Sequence, residues 1–285
     1  MKTKFKILSF ITLFFLVSVT SVSSVSAAAE VGSFELNGVN VIAYANNPSA
    51  GVYGYYGLQY ECVEYVNRFY GKALGHRTMA GGGHAKQYLG SASEKGLKAY
   101  KNGESTTIPC IGDIICSNNG DYGHVAIVRQ VLSDRIYVIH QNFRNYPCQE
   151  ANYLPLTLSK TNGMWKVDGF DSKYQVSGWL RKPVTLTVSP YSGKQGTIFT
   201  FRGTGYTPNG KIEFHVKKPP NVWVGGSTEY PVSTFTASST GVFSYTFKSS
   251  VLSPKGTYKV WAVDLSTRAD MSPGRQSPIV YETIT

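Results

Sequence analysis

Beyond Glu30 this chain has no stretch apolar enough to cross a bilayer, which excludes stable membrane insertion by a later helix. Cysteine and histidine are few, at four and five. No CxxC or HExxH spacing joins them, so a zinc centre built from Cys62, His124 and His140 is the weaker of the readings they permit. Basic residues outnumber acidic ones by 28 to 17, yet no basic helix or aromatic-basic motif accompanies them, which argues against a nucleic-acid partner. The run Ala80-Gly81-Gly82-Gly83-His84 lacks a Walker lysine-serine ending and a preceding strand, so it reads as a flexible loop near a cleft rather than a phosphate cradle. Internal repeats and low-complexity tracts are missing too, and no feature sets an oligomeric state.

What is present begins with MKTKFK, the apolar ILSFITLFFLV and a small-residue tract ending SVSAAAE. A basic start, a short apolar stretch and an Ala-Xaa-Ala site describe a secretory signal, cleaved after Ala27 or Ala29. The apolar stretch is shorter than the roughly 20 residues of a membrane anchor, and no cysteine stands near the cleavage site to carry a lipid. Residues 1–29 are therefore expected to direct export, leaving the mature chain secreted, periplasmic or in the cell envelope. Loss of Lys2, Lys4 and Lys6 takes the net charge from +11 to +8. A basic protein outside the cytosol is drawn to anionic envelope polymers and acidic substrates.

The remainder suits two domains better than one. Residues 30–182 hold all four cysteines and four of the five histidines. Helical spacing is clear from Cys62 to about Leu74, and a second helix is expected near His84–Gly96. The strand segments IGDIIC (111–116), GHVAIVRQ (123–130), RIYVIHQN (135–142), LPLTL (154–158) and VSGWL (176–180) follow. Helices first and then a meander of strands is an α+β order. The chain changes character at Arg181-Lys182-Pro183. From there helix signals disappear, and residues 183–285 carry six alternating segments, from TLTVSP to SPIVYETIT, separated by Gly, Pro, Asn and Ser turns. That pattern predicts an all-β sandwich of immunoglobulin type. His215 and Trp223, with Tyr230 nearby, could present a binding surface there, although ordinary strand packing accounts for them more simply.

Cys62 opens an apolar stripe continued by Tyr65, Val66, Phe69 and Ala73. Glu64 and Arg68 are placed to pair on the outer face. At a helix N-terminus, orphan N–H groups and the positive dipole end lower a thiol's pKa and could stabilise an oxyanion, while adjacent Glu61 opposes a thiolate. A buried core cysteine or half of a disulfide is the bland alternative. The hairpin of GHVAIVRQ and RIYVIHQN tips the balance: a turn closed between Gln130 and Asp134 sets His124 directly opposite His140, with Asn142 on the same face. A cysteine needs a base to take its proton and a partner to orient that base. Cys62, His124 and His140 can fill those roles with no metal or cofactor.

LQYECVEYVNRFYGKALG, PCIGDIICS, GHVAIV and IHQNF occur in the order found in CHAP amidohydrolase/peptidase domains, relatives of the NlpC-type and papain-like cysteine peptidases. Roughly residues 50–180 resemble that family, and the first segment also resembles the amidase half of glutathionylspermidine synthetase. The resemblance implies a papain-like α+β fold, with Cys62 as nucleophile, His124 as base and a third residue at the end of the next strand. There the family usually has the Glu of an EQN segment; this chain has His140-Gln141-Asn142, as NlpC-type relatives have histidine. The family's Gln before the cysteine is Glu61 here, which leaves Gln59 and the backbone N–H of Cys62 as oxyanion candidates. The implied activity is hydrolysis of amide bonds in peptidoglycan or another envelope polymer. A small peptide or polyamine conjugate is the alternative substrate, and an inactive wall-binding protein the alternative role. Residues 183–285 resemble TIG-type immunoglobulin-like modules.

Export permits disulfides. Cys110 and Cys116 bracket an extended strand, about 20 Å apart and too far to bridge. Cys116 and Cys148 leave the same end of the hairpin, so a Cys116–Cys148 bridge with Cys110 free is expected; all-reduced cysteines are the alternative.

Overall fold

A computed structural model of the chain describes residues 28–45, 51–76, 79, 83–143, 153–219 and 229–285. Most of the expected signal segment, residues 80–82 of the glycine run, Cys148 and Trp223 lie outside them. The described residues are mostly β, with a single α-helix, so the α+β expectation is met only in part.

The first strands, β1 (Glu30–Leu36) and β2 (Val39–Tyr44), form a hairpin around Asn37-Gly38, both at positive φ (49° and 79°). This is the two-residue turn that matches the right-handed twist of its strands. A short hairpin of β3 (Tyr53–Gly54) and β4 (Gly57–Leu58) leads into α1 (Cys62–Ala73). The stripe Cys62, Tyr65, Val66, Phe69, Tyr70 and Ala73 is buried as its spacing demands. Gly75 follows at φ 60°, and the Lys182 ammonium donates to the Leu74 carbonyl at the helix C-terminus.

The helix packs on an antiparallel seven-stranded sheet. Its strands are β5 (Lys98–Lys101), β6 (Ile114–Ser117), β7 (His124–Val131), β8 (Arg135–Ile139), β9 (Leu154–Thr161), β10 (Met164–Val167) and β11 (Gly178–Arg181), ordered β10-β9-β8-β7-β6-β11-β5. Both faces of the central strands are covered. Val125 and Ile127 face the core beneath α1, whereas Ala126 and Val128 face a second core around Leu156, Val167 and Trp179. This two-sided burial is why GHVAIV has no polar alternation.

The helix expected over His84–Gly96 does not form. Ala85–Gln87 makes a 3-10 turn, and separate turns follow to Gly96. Gly90 and the serines weaken helix propensity there, and the Ser91 hydroxyl donates to the Gln87 carbonyl at 2.9 Å beside the Ser91 N–H at 3.0 Å.

Strands β12 (Thr185–Ser189), β14 (Ile198–Thr204) and β17 (Phe243–Lys248) form a three-stranded sheet. It shares a core with a second sheet containing β13 (Ser192–Gly193), β15 (Lys211–Lys217), β16 (Glu229–Thr236), β18 (Gly256–Asp264), β19 (Arg275–Gln276) and β20 (Val280–Ile284). Phe199 and Phe201 from the first sheet meet Phe214, Val260 and Ala262 from the second. His215 stacks on Trp261 at 5.0 Å and pairs with Glu213 at 2.7 Å, which is strand packing.

Candidate active site

Cys62 is the first residue of α1, 8% exposed, and Glu61 before it makes no side-chain cap. The backbone N–H of Val125, next in sequence to His124, and those of Val63 and Cys62 itself favour the charged form of the Cys62 thiol. The expected depression of the thiol nevertheless fails. Burial outweighs the Val125 N–H, Glu61 adds to it, and the pKa is pushed up to about 12. The dipole of one helix end contributes less than the loss of water around a charge.

Observed pairing of β7 with β8 differs from the expected register. Ile127 pairs with Ile139 and Val128 with Val138; a bulge between Val128 and Gln130 then gives Gln130 opposite Tyr137 and Val131 opposite Ile136. Strand β7 runs further into the turn than expected, so His124 does not sit directly across from His140. The displacement is by two residues, and an even slip keeps side chains on their original face. The two rings accordingly still meet, edge to face, with centroids 5.3 Å apart at 82°.

Both histidines are buried. The His124 ring packs against Phe143 at 4.4 Å and Phe170 at 4.9 Å, and its Nε2 has no hydrogen-bond partner among the described residues. Burial, and then neighbouring His140, hold its pKa well below the ordinary histidine range. Cys62 and His124 line one cavity of about 310 Å³, which Glu61, Asn142, Asp171 and Tyr174 also border. A second, of about 640 Å³, meets the first at Glu61, Cys62 and Tyr122 and extends along Tyr53 and His84. Glu61 and Asp171 are the only charged residues lining the two among the described residues, in a chain that is basic overall.

Gly123 lets β7 begin where it does. At φ 74°, a β-carbon there would come within 2.4 Å of the Lys86 nitrogen and 2.5 Å of the Ser117 carbonyl oxygen, both backbone atoms. Only glycine admits that approach, which the Lys86 N–H uses to donate to the Tyr122 carbonyl at 2.8 Å.

Asn142, at φ 52°, donates to the Glu61 carboxylate, so it holds the residue before Cys62. The Gln59 side chain lies over Gly54 in the β3–β4 hairpin and lines neither cavity. His140 borders neither cavity and reaches the site through His124. Sequence reasoning missed Gln141. Its buried amide donates to the Glu61 carbonyl and to Glu64, each at 3.0 Å, and accepts from the Tyr44 N–H at 2.8 Å. The Glu64–Arg68 pair is correspondingly not on an outer face. The β1–β2 hairpin covers it, with Arg68 donating to Glu64 at 2.6 Å and to the Ile42 carbonyl at 2.6 Å. The Asn37-Gly38 turn was the signal that could have announced the hairpin.

Cys116 carries a free thiol in the core beneath α1, so the expected bridge to Cys148 is corrected. Cys110 is free and bonded to Asp113. Among the described residues no group of three His, Cys, Asp or Glu is arranged to hold a metal ion, and no helix is long and apolar enough to cross a membrane.

A thiol at a helix start and a strand-borne imidazole thus border one cavity. Residues 52–142 match the family model of the CHAP domain, a span that holds Cys62, His124, His140 and Asn142. No curated protein matches the chain. Among solved structures it is similar to the PKD domain of an M14-like peptidase from a Thermoplasmatales archaeon, at 20% identity and TM-score 0.21 over 36% of this chain and 92% of that one. It is also similar to a beta-glucosidase from Listeria innocua, at 12% identity and TM-score 0.23, over 39% of this chain and 17% of that one.

Proposed function

We propose that this chain is an exported cysteine amidase or endopeptidase that hydrolyses amide bonds of cell-wall peptidoglycan through a thioester. One observation carries the reading: within the CHAP match, Cys62 opens α1 and shares a cavity with His124. Cys62 Sγ attacks the amide carbonyl while His124 takes the thiol proton, then returns it to the departing amine. Water activated by His124 releases the acyl group and restores the thiol. The Cys62 N–H stabilises the tetrahedral oxyanion, and His140 packs against and orients the His124 ring. Both groups are neutral before substrate binds, so proton transfer accompanies attack. We read residues 30–182 as the papain-like catalytic domain and 183–285 as an immunoglobulin-like module that holds it on an envelope surface.

Mature protein, residues 30–285, incubated with insoluble peptidoglycan beside Cys62→Ala tests this. New amine termini released only by the intact thiol, identified by mass spectrometry, are the expected result. Release by both proteins, or by neither, sinks it. The acidic lining from Glu61 and Asp171 favours a second reading, an amidase on a small polyamine conjugate. Faster turnover of such a conjugate than of soluble peptidoglycan fragments would select it.

A further inference from the structure

Strand β20 reads Val280-Tyr281-Glu282-Thr283-Ile284, and its alternation points Val280, Glu282 and Ile284 between the two sheets of the C-terminal half. A carboxyl therefore stands at a core position. Glu282 is 2% exposed, and its Oε2 has no hydrogen-bond partner among the described residues. Burial alone raises its pKa to about 7. Buried carboxyls are ordinarily satisfied, and leaving one open costs stability.

This carboxyl lines a cavity of about 300 Å³ between the sheets, walled by Phe201, Phe214, Tyr245, Phe247 and Tyr258. Three of the rings brace one another: Phe214 lies 5.0 Å from Phe201 and 4.9 Å from Tyr245. The Tyr258 hydroxyl is already committed to the Pro254 carbonyl at 2.6 Å, so it offers the carboxyl no donor. Lys218 stands in the lining but makes no ion pair with Glu282 among the described residues. Aromatic faces attract cations through their quadrupole, and a carboxylate at the base of such a pocket supplies the counter-charge. Small apolar ligands fit cavities of this size, where a few polar groups fix their orientation.

We propose that the cavity between the two C-terminal sheets is a binding site for an alkylammonium group, held by Glu282 within a wall of five aromatic rings. The site is independent of Cys62 and of the hydrolytic reading. A primary ammonium on an alkyl chain and a quaternary ammonium share this chemistry, and the probes separate them.

The test is a calorimetric titration of the mature chain at pH 8 with n-butylammonium, tetramethylammonium and neutral n-butanol. Saturable binding of at least one cation, about tenfold tighter than the alcohol and weakened about tenfold in Glu282→Gln, is expected. Equal binding of cation and alcohol, or no cation binding, overturns the proposal. So does unchanged binding by Glu282→Gln. Should that variant not fold, the Glu282 carboxyl is titrated by NMR in the unaltered chain: the bound cation must lower its pKa. A carboxyl already near the ordinary range without ligand, rising in Lys218→Met, would mean that Lys218 fills the cation's place, and the proposal falls.

Discussion

Glu64 and Glu282 are nearly equally buried, at 4% and 2% exposed, and sit in opposite circumstances. The Glu64 carboxylate takes two bonds from Arg68 and one from Gln141, and the cluster ties α1 to β2 and to the chain after β8. The Glu282 carboxyl has aromatic rings around it and an open oxygen. The first fixes the residues that frame Cys62, whereas the Oε2 of the second has no hydrogen-bond partner among the described residues. The difference teaches where to look for function. A buried polar group with every valence met is architecture, and one with a valence open beside a cavity marks a site. His124, with Nε2 open in a cavity shared with Cys62, is of the second kind.

The largest expected effect tests that distinction in the N-terminal half. Cys62→Ala and His124→Ala should each lower peptidoglycan hydrolysis by about 10⁴-fold, with circular dichroism spectra close to the parent. A loss of only a few-fold would move His124 from site to architecture. Next come the carboxyls themselves. Glu64→Ala leaves the Arg68 guanidinium buried without its anion and should cost about 3–5 kcal/mol in urea unfolding. Glu282→Gln should change stability the other way at pH 8, by about 1–2 kcal/mol, because it removes a charge with no partner. The same sign for both would break the comparison.

Two glycines sharpen it at backbone level. Gly123 and Gly38 have nearly equal φ, 74° and 79°, but a β-carbon at Gly38 meets nothing within 4 Å. Gly38→Ala should cost about 1 kcal/mol, the conformational term alone. Gly123→Ala adds a clash with two backbone atoms and should cost about 2–4 kcal/mol, displacing His124 and reducing hydrolysis as well. Chemical unfolding of the two variants side by side measures the difference.

Much of this arrangement is legible in the chain. The spacing of Cys62, Tyr65, Val66, Phe69 and Ala73 gave α1, and period-two alternation gave most strands of the C-terminal sheets. The meeting of His124 and His140 survived an incorrect register because the error was even. What escaped depends on distant chain. Glu64–Arg68 looks like a surface pair until the β1–β2 hairpin covers it, and the Cys62 thiol looks activated until burial is weighed against the helix end. Glu282 was hidden in a strand whose pattern is read from its apolar neighbours. Local spacing sets which way a side chain points, and only the packed chain sets whether water can reach it.

The smallest effect per step, and the sharpest contrast, is in pH. Folding depresses the pKa of His124, so its contribution is whole above the unfolded value near 6.5 and is lost as pH falls below it. Folding raises Glu282 from 4.5 to about 7, so its contribution is whole below 4.5 and is lost as pH rises towards 7. Each group contributes a slope of about 1.4 kcal/mol per pH unit within its own window, with opposite signs. Just below pH 6.5 the two slopes should oppose each other in the parent. Stability of His124→Ala should then fall with rising pH across that range, and stability of Glu282→Gln should rise. Urea midpoints at half-unit intervals would measure both slopes. Parallel pH profiles for parent and both variants would mean that neither group titrates out of its ordinary range, and that the two open valences are filled in solution.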